Sequence, residues 1–103
     1  MTDFRSCYVG LAGRYLSLAE EEQSKIHKRI YERWMREASL LAAHGNGRLI
    51  DGRYHLGITL EDFVTKTNSR SPPVTSATIR RDLDLIKLHV GIQGLERYVF
   101  ASR

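Results

Sequence analysis

Val74-Thr-Ser-Ala-Thr-Ile-Arg-Arg-Asp-Leu-Asp-Leu-Ile86 is the stretch on which the reading of this chain turns. Thr75 makes a good helix N-cap, because its hydroxyl can accept a hydrogen bond from an unpaired first-turn amide. Ile79, Leu83 and Ile86 fall at i, i+4 and i+7, a stripe that has to be buried. Ser76, Thr78, Arg80 and Arg81 are left to face outward. A short helix with donors crowded into its first two turns suits a nucleic-acid groove, where the N-terminal residues reach base edges. The segment is expected to be a recognition helix.

Working outward, Pro72-Pro73 forbid helix before Val74, and Thr67 to Pro73 read as a polar loop. Upstream of it, Thr59-Leu-Glu-Asp62 resembles a capping box with Asp in place of Glu. It predicts a helix through about residue 66, with Leu60, Phe63 and Val64 on its buried side. Asp51-Gly52 stands between two short apolar-rich runs within residues 48–56, the pattern of a tight hairpin turn at positive φ. Earlier still, Ser17 followed by Glu20, Glu21 and Glu22 predicts the start of one long helix running to His44. Ile26, Ile30, Trp34, Ala38 and Leu41 mark its face, Tyr31 and Met35 widen it, and Gly45-Asn46-Gly47 would end it by tolerating positive φ. Before Ser17, residues Tyr8, Val9, Leu11, Tyr15 and Leu16 fit a short helix packed on the body or on a partner chain.

Beyond the recognition helix, His89-Val90 and Arg97-Tyr-Val-Phe-Ala101 read as two short strands around a glycine-containing loop. The expected fold is therefore α+β and mostly helical. It is a winged helix-turn-helix with an extended N-terminal helix and a C-terminal β-hairpin wing. One domain is expected over residues 1–103. Residues 1–45, the N-terminal extension and long helix, are assigned to dimerisation, and residues 58–101 to the helix-turn-helix and wing.

Composition limits the function classes. Hydrophobic residues make up 42% and charged residues 27%, too apolar for a disordered chain. No apolar run is long enough to span a membrane and no secretory signal is recognisable. Cys7 is the only cysteine, so no internal disulfide can form, and a cytoplasmic protein is expected. Residues 1–65 hold nine Lys/Arg and nine Asp/Glu, whereas residues 66–103 hold seven against three. The whole excess of +4 thus travels with the recognition helix, as a phosphate-binding surface requires.

Val74-Thr-Ser-Ala-Thr-Ile-Arg-Arg-Asp-Leu83 resembles the recognition-helix signature of DeoR-type bacterial repressors. Residues 58–101 are similar, over a longer stretch, to the N-terminal DNA-binding domain of bacterial arginine repressors. The likeness is carried by Thr59-Leu-Glu-Asp-Phe63, residues 74–83, Ile86-Lys-Leu-His-Val90 and Arg97-Tyr-Val-Phe-Ala101. It implies that Ile86–Val90 is a strand and that Arg97–Ala101 closes the wing. Arginine repressors continue into an arginine-binding, hexamer-forming domain, and DeoR-type repressors into a domain that senses sugar phosphates. No counterpart of either is read here, so a stand-alone regulator, of the kind found on plasmids or phages, is expected.

Arg80 and Arg81 are the principal candidate DNA contacts, since arginine pairs bidentately with guanine O6 and N7 or with phosphate. The competing reading pairs one of them with Asp82 or Asp84 on the helix surface. Thr75, Ser76 and Thr78 would donate to phosphates at the helix N-terminus. Lys66, Ser69, Arg70 and Ser71 would lie along the backbone, and Gln93 and Arg97 would enter the minor groove from the wing. Trp34 and Tyr31 are read as core or dimer contacts, not a stacking platform. His27, His44, His55 and His89 share no zinc-site spacing with each other or with Cys7. There is neither a glycine-rich phosphate loop nor a nucleophile motif, so no enzyme, cofactor or small-molecule effector is expected. The expected function is a transcriptional repressor that binds double-stranded DNA as a homodimer on an inverted repeat. An accessory DNA-binding protein in plasmid or phage partition, replication or transfer is the first alternative. A winged-helix protein-interaction module is the second.

Overall fold

Two helices, not one, build the N-terminal half. A computed structural model describes residues 3–103, and in it α1 (Arg5–Glu21) and α2 (Lys25–His44) are separated by a three-residue link. Ser17 is an exposed position inside α1, because the stripe Tyr8, Leu11, Ala12, Tyr15, Ala19 keeps its helical phase straight through it. The acidic run predicted to open a helix closes one instead. The N-cap of the second helix is Ser24, in extended backbone, whose hydroxyl accepts from the His27 amide. So short a link folds α2 back antiparallel to α1, and the Phe4 amide, just before α1, donates to the Gly47 carbonyl just beyond α2. Ile26, expected on the buried face, lies in the first turn of α2 and is exposed, whereas Ala38 and Leu41 are fully buried.

The chain then forms β1 (Gly45–Ile50) and β2 (Arg53–Leu56), antiparallel with Leu49 opposite Tyr54 and Ile50 opposite Arg53. Asp51 and Gly52 both have positive φ (52° and 75°), the two-residue turn the sequence predicted. Gly45 itself has negative φ, and its glycine serves a different need: a Cβ there would overlap the Tyr54 ring.

Next come α3 (Leu60–Thr67), a 3-10 turn at Asn68–Arg70, and α4 (Ser76–Val90). Thr59 and Thr75 cap the two helices as expected, accepting from the amides of Asp62 and Thr78 at 3.1 and 3.2 Å. However, α4 does not stop at Ile86. Residues 86–90, expected as a strand, extend the apolar stripe Ile79, Leu83, Ile86 by one more step of four to half-buried Val90. The helix ends only where Gly91 takes the left-handed conformation (φ 71°). The C-terminal hairpin therefore does not form among the described residues. A single strand, β3 (Arg97–Val99), follows and pairs parallel with β2, Tyr54 beside Tyr98, giving the sheet order β1-β2-β3. The architecture is α+β and mostly helical. No helix among the described residues is long and apolar enough to cross a membrane.

Tyr8, Leu11, Tyr15, Leu41, Tyr54, Phe63, Ile79, Leu83 and Ile86 share one core. Tyr8, Tyr54 and Tyr98 meet there with ring centroids 5.0 to 6.2 Å apart, and the Tyr8 hydroxyl donates to that of Tyr98 at 3.2 Å. Burial pushes both of these phenols well above the ordinary tyrosine range.

One polar cluster is buried with this core. Arg33 of α2 reaches Asp82 of α4 bidentately, Nε to Oδ2 at 2.7 Å and Nη2 to Oδ1 at 3.1 Å. Glu37, one turn on from Arg33, is completely buried, and neither carboxyl oxygen has a hydrogen-bond partner. Burial, and then the adjacent Asp82 carboxylate, push Glu37 up to about 10, so it is a neutral acid at neutral pH. Between its ordinary value of 4.5 and about 10, the folded chain holds a proton that the unfolded chain releases. Stability from this group must therefore fall as pH rises through that window. Thermal melts of the wild type from about pH 5 to about pH 9 should show that decline, and Glu37→Gln should flatten it and raise the melting temperature at the alkaline end. A wild-type profile already flat there, or a glutamine variant that melts earlier throughout, would show that Glu37 is ionised in place.

Candidate nucleic-acid interface

The start of α4 is held by groups on two other segments and by its own cap. After Pro72-Pro73 the chain must arrive extended at Val74, and Asn68 fixes it there from both sides. The Asn68 amide nitrogen donates to the Val74 carbonyl, and the Val74 amide donates to the Asn68 side-chain oxygen, each at 3.0 Å. Arg36 of α2 ties down the same turn, donating to the Thr67 carbonyl at 3.1 Å and to the Ser71 hydroxyl. Thr67 is itself fully buried. The Thr75 cap completes the arrangement, with its hydroxyl 3.2 Å from that of Thr78.

With Ile79, Asp82, Leu83 and Ile86 turned inward, the opposite side of α4 is open. Ser76, Arg80, Arg81 and Asp84 are exposed and Thr78 is half-buried. The sequence left open whether Asp82 or Asp84 would neutralise an arginine of the helix. Asp82 is committed to Arg33, and Arg80 and Arg81 make no ion pair among the described residues. Thr75 and Thr78 are partly occupied with each other, which leaves Ser76 as the hydroxyl free to contact a ligand at this end.

The structure joins some of the other expected contacts to this face and separates one. Lys66, Ser69 and Arg70 are exposed around the α3–α4 turn, where Arg70 and Ser71 border a hollow with Arg29 and Arg36 of α2. Ser71, expected to meet phosphate, is the acceptor of Arg36 and so belongs to the support of the turn. Arg97 is brought to α4 by β3: a groove of about 520 Å3 runs between them, lined by Arg80, Asp84, Lys87 and Arg97. Lys87 donates to the Glu96 carbonyl at 2.8 Å, tying α4 to the residue just before β3. Gln93 stands apart. It follows Gly91 at the C-terminal end of a 15-residue helix, roughly 22 Å along the axis from Ser76. With no hairpin to carry it, Gln93 is not a wing-tip residue.

Nothing in the local sequence marks Arg33, Arg36 or Asn68 as part of this region. Their bonds to Asp82, to the Thr67–Ser71 turn and to Val74 determine where the exposed residues stand. Arg33 and Glu37 are spaced i, i+4, which reads as an ordinary surface pair until the fold brings Asp82 against them. Among the described residues no cluster of three or more His, Cys, Asp or Glu side chains could hold a metal ion. Comparison with protein-family models, with curated proteins and with solved structures finds no match to this chain.

Asn68→Ala removes both bonds that hold Val74 while leaving the core intact. It should cost about 1–3 kcal/mol in denaturant unfolding, as partners left unsatisfied usually do. Amide exchange at Val74 and Thr75 should accelerate more than at Ile86. Uniform acceleration along α4 would mean that Asn68 supports the whole helix and not its start.

Proposed function

We propose that this protein is a sequence-specific regulator of transcription that binds double-stranded DNA through α4, acting as a repressor and as a homodimer on an inverted repeat. The observation that carries the reading is the pair Arg80 and Arg81, exposed, without an ion pair among the described residues, and one turn from a capped helix start. A guanidinium so placed can meet guanine O6 and N7 bidentately, and the major groove is wide enough to admit the helix. In this reading α3, the turn and α4 form a helix-turn-helix, with α4 lying in the groove. Ser76 and the first amides of α4 would meet phosphate, with Lys66 and Arg70 on one flank and Arg97 on the other. The three-stranded sheet stands in place of the C-terminal hairpin that the sequence suggested.

Homodimerisation belongs to the same proposal. Val9 and Leu16 of α1 are 62% and 44% exposed, an apolar surface that a second copy would cover. Two copies related by a two-fold axis, with their α4 helices in successive major grooves, would call for an inverted repeat.

Selection of bound fragments from a sheared genomic library at near-physiological salt, followed by sequencing, tests the reading. The wild type should enrich an inverted repeat. The double variant Arg80→Ala, Arg81→Ala should lose at least about tenfold of that enrichment, given about 1–3 kcal/mol per bidentate contact, with an unchanged melting temperature. Clustered direct repeats would point to nucleoprotein assembly in partition, replication or transfer. Absence of any enriched sequence, or an unaffected double variant, would overturn the assignment to α4.

A further inference from the structure

A hollow of about 380 Å3 opens between the α1–α2 hairpin and the last turn of α4, within the size range of small-molecule sites. Leu11 and Leu18 of α1 supply aliphatic wall, and Tyr15, Tyr31, Trp34 and His89 supply rings from three different helices. These rings are locked to one another. Trp34 lies 5.5 Å from Tyr15, 5.7 Å from Tyr31 and 5.8 Å from His89, centroid to centroid, all tilted or edge-on. The Tyr15 hydroxyl and His89 Nδ1 are hydrogen-bonded at 2.7 Å. The indole nitrogen of Trp34 is buried behind this wall and has no hydrogen-bond partner.

The charge at the hollow is one-sided. Arg14 is exposed at its margin and makes no ion pair or hydrogen bond among the described residues, and no carboxylate lines it. Aromatic walls with one free guanidinium select a flat ring that bears an anion. The ring stacks or packs edge-on with half-buried Tyr31 and Trp34, behind which Tyr15 is buried, and the carboxylate takes a charge-assisted bond from Arg14. A cation would be repelled by Arg14, and a neutral ring packed on the same walls would leave that guanidinium unpaired. We infer that this hollow is a binding site for a small aromatic carboxylate. The inference does not rest on the DNA-binding reading, since none of its residues lies on the exposed N-terminal face of α4.

Trp34 is the single tryptophan of the chain, so its indole gives one resonance in a proton–nitrogen correlation spectrum. Titration of the full chain with benzoate should move that resonance and the amides of Arg14 and His89 along saturable curves. Arg14→Gln, at an exposed helical position, should weaken benzoate about tenfold, and the neutral isostere benzamide should bind the wild type more weakly by a similar factor. The melting temperature of the variant should not change. Absence of saturable shifts would overturn the site. Equal binding of benzamide, or an Arg14→Gln variant that binds benzoate as well as the wild type, would overturn the choice of an anionic ligand.

Discussion

Arg33 and Asp82 form the contact on which the rest of the structure depends. The guanidinium of α2 and the carboxylate of α4 meet through two bonds in a nearly dry site, with the uncharged Glu37 beside them. Desolvating an ion pair is expensive, and a buried pair adds little net stability compared with an apolar one. What it adds is position. Breaking it from one side leaves the other charge stranded, at a cost of about 3–5 kcal/mol, so α4 cannot slide or rotate on α2 without a large penalty. The apolar stripe Ile79, Leu83, Ile86 would tolerate more freedom, because hydrophobic contact is not directional. Asp82 fixes the rotation of the helix, and hence which side Arg80 and Arg81 present.

The same economy of means recurs at the other end of the turn. Arg36, one turn along α2 from Arg33, holds the Thr67 carbonyl and the Ser71 hydroxyl. Two arginines on one helix therefore secure the body of α4 and the loop that feeds it, while Asn68 sets the backbone just before the cap. Preorganisation of this kind reduces the ordering cost of association, so the exposed side chains would spend more of their interaction energy on a partner. β3 adds the opposite margin: its parallel pairing with β2 places Arg97 across a groove from Arg80 and Lys87.

Much of this was legible because local chemistry decided it. Thr59 and Thr75 as caps, Asp51-Gly52 as a tight turn and the buried phase of α4 each follow from a few neighbouring residues. The break at residues 22–24 was hidden by an acidic run that suits a helix start in isolation; only the unbroken packing phase from Tyr8 to Ala19 shows that a helix is already under way. The C-terminal end of α4 departs from the sequence expectation for a related reason. Ile86-Lys-Leu-His-Val90 reads as a strand by resemblance alone, but the spacing of Ile86 and Val90 and the left-handed Gly91 make it the last turn of a helix. The sequence held no local sign of the parallel pairing of β3 with β2, which joins residues more than forty positions apart. Nor could it reveal the role of Arg33 and Arg36, whose partners lie on other elements.

The most direct test of the account is amide shift mapping of the full chain with a short DNA duplex at near-physiological salt. The account predicts that perturbations concentrate on Thr75 to Arg81, on Lys66 to Arg70 and at Arg97, and fade as salt is raised. Perturbations centred on α1, or the absence of any at Arg80 and Arg81, would contradict it.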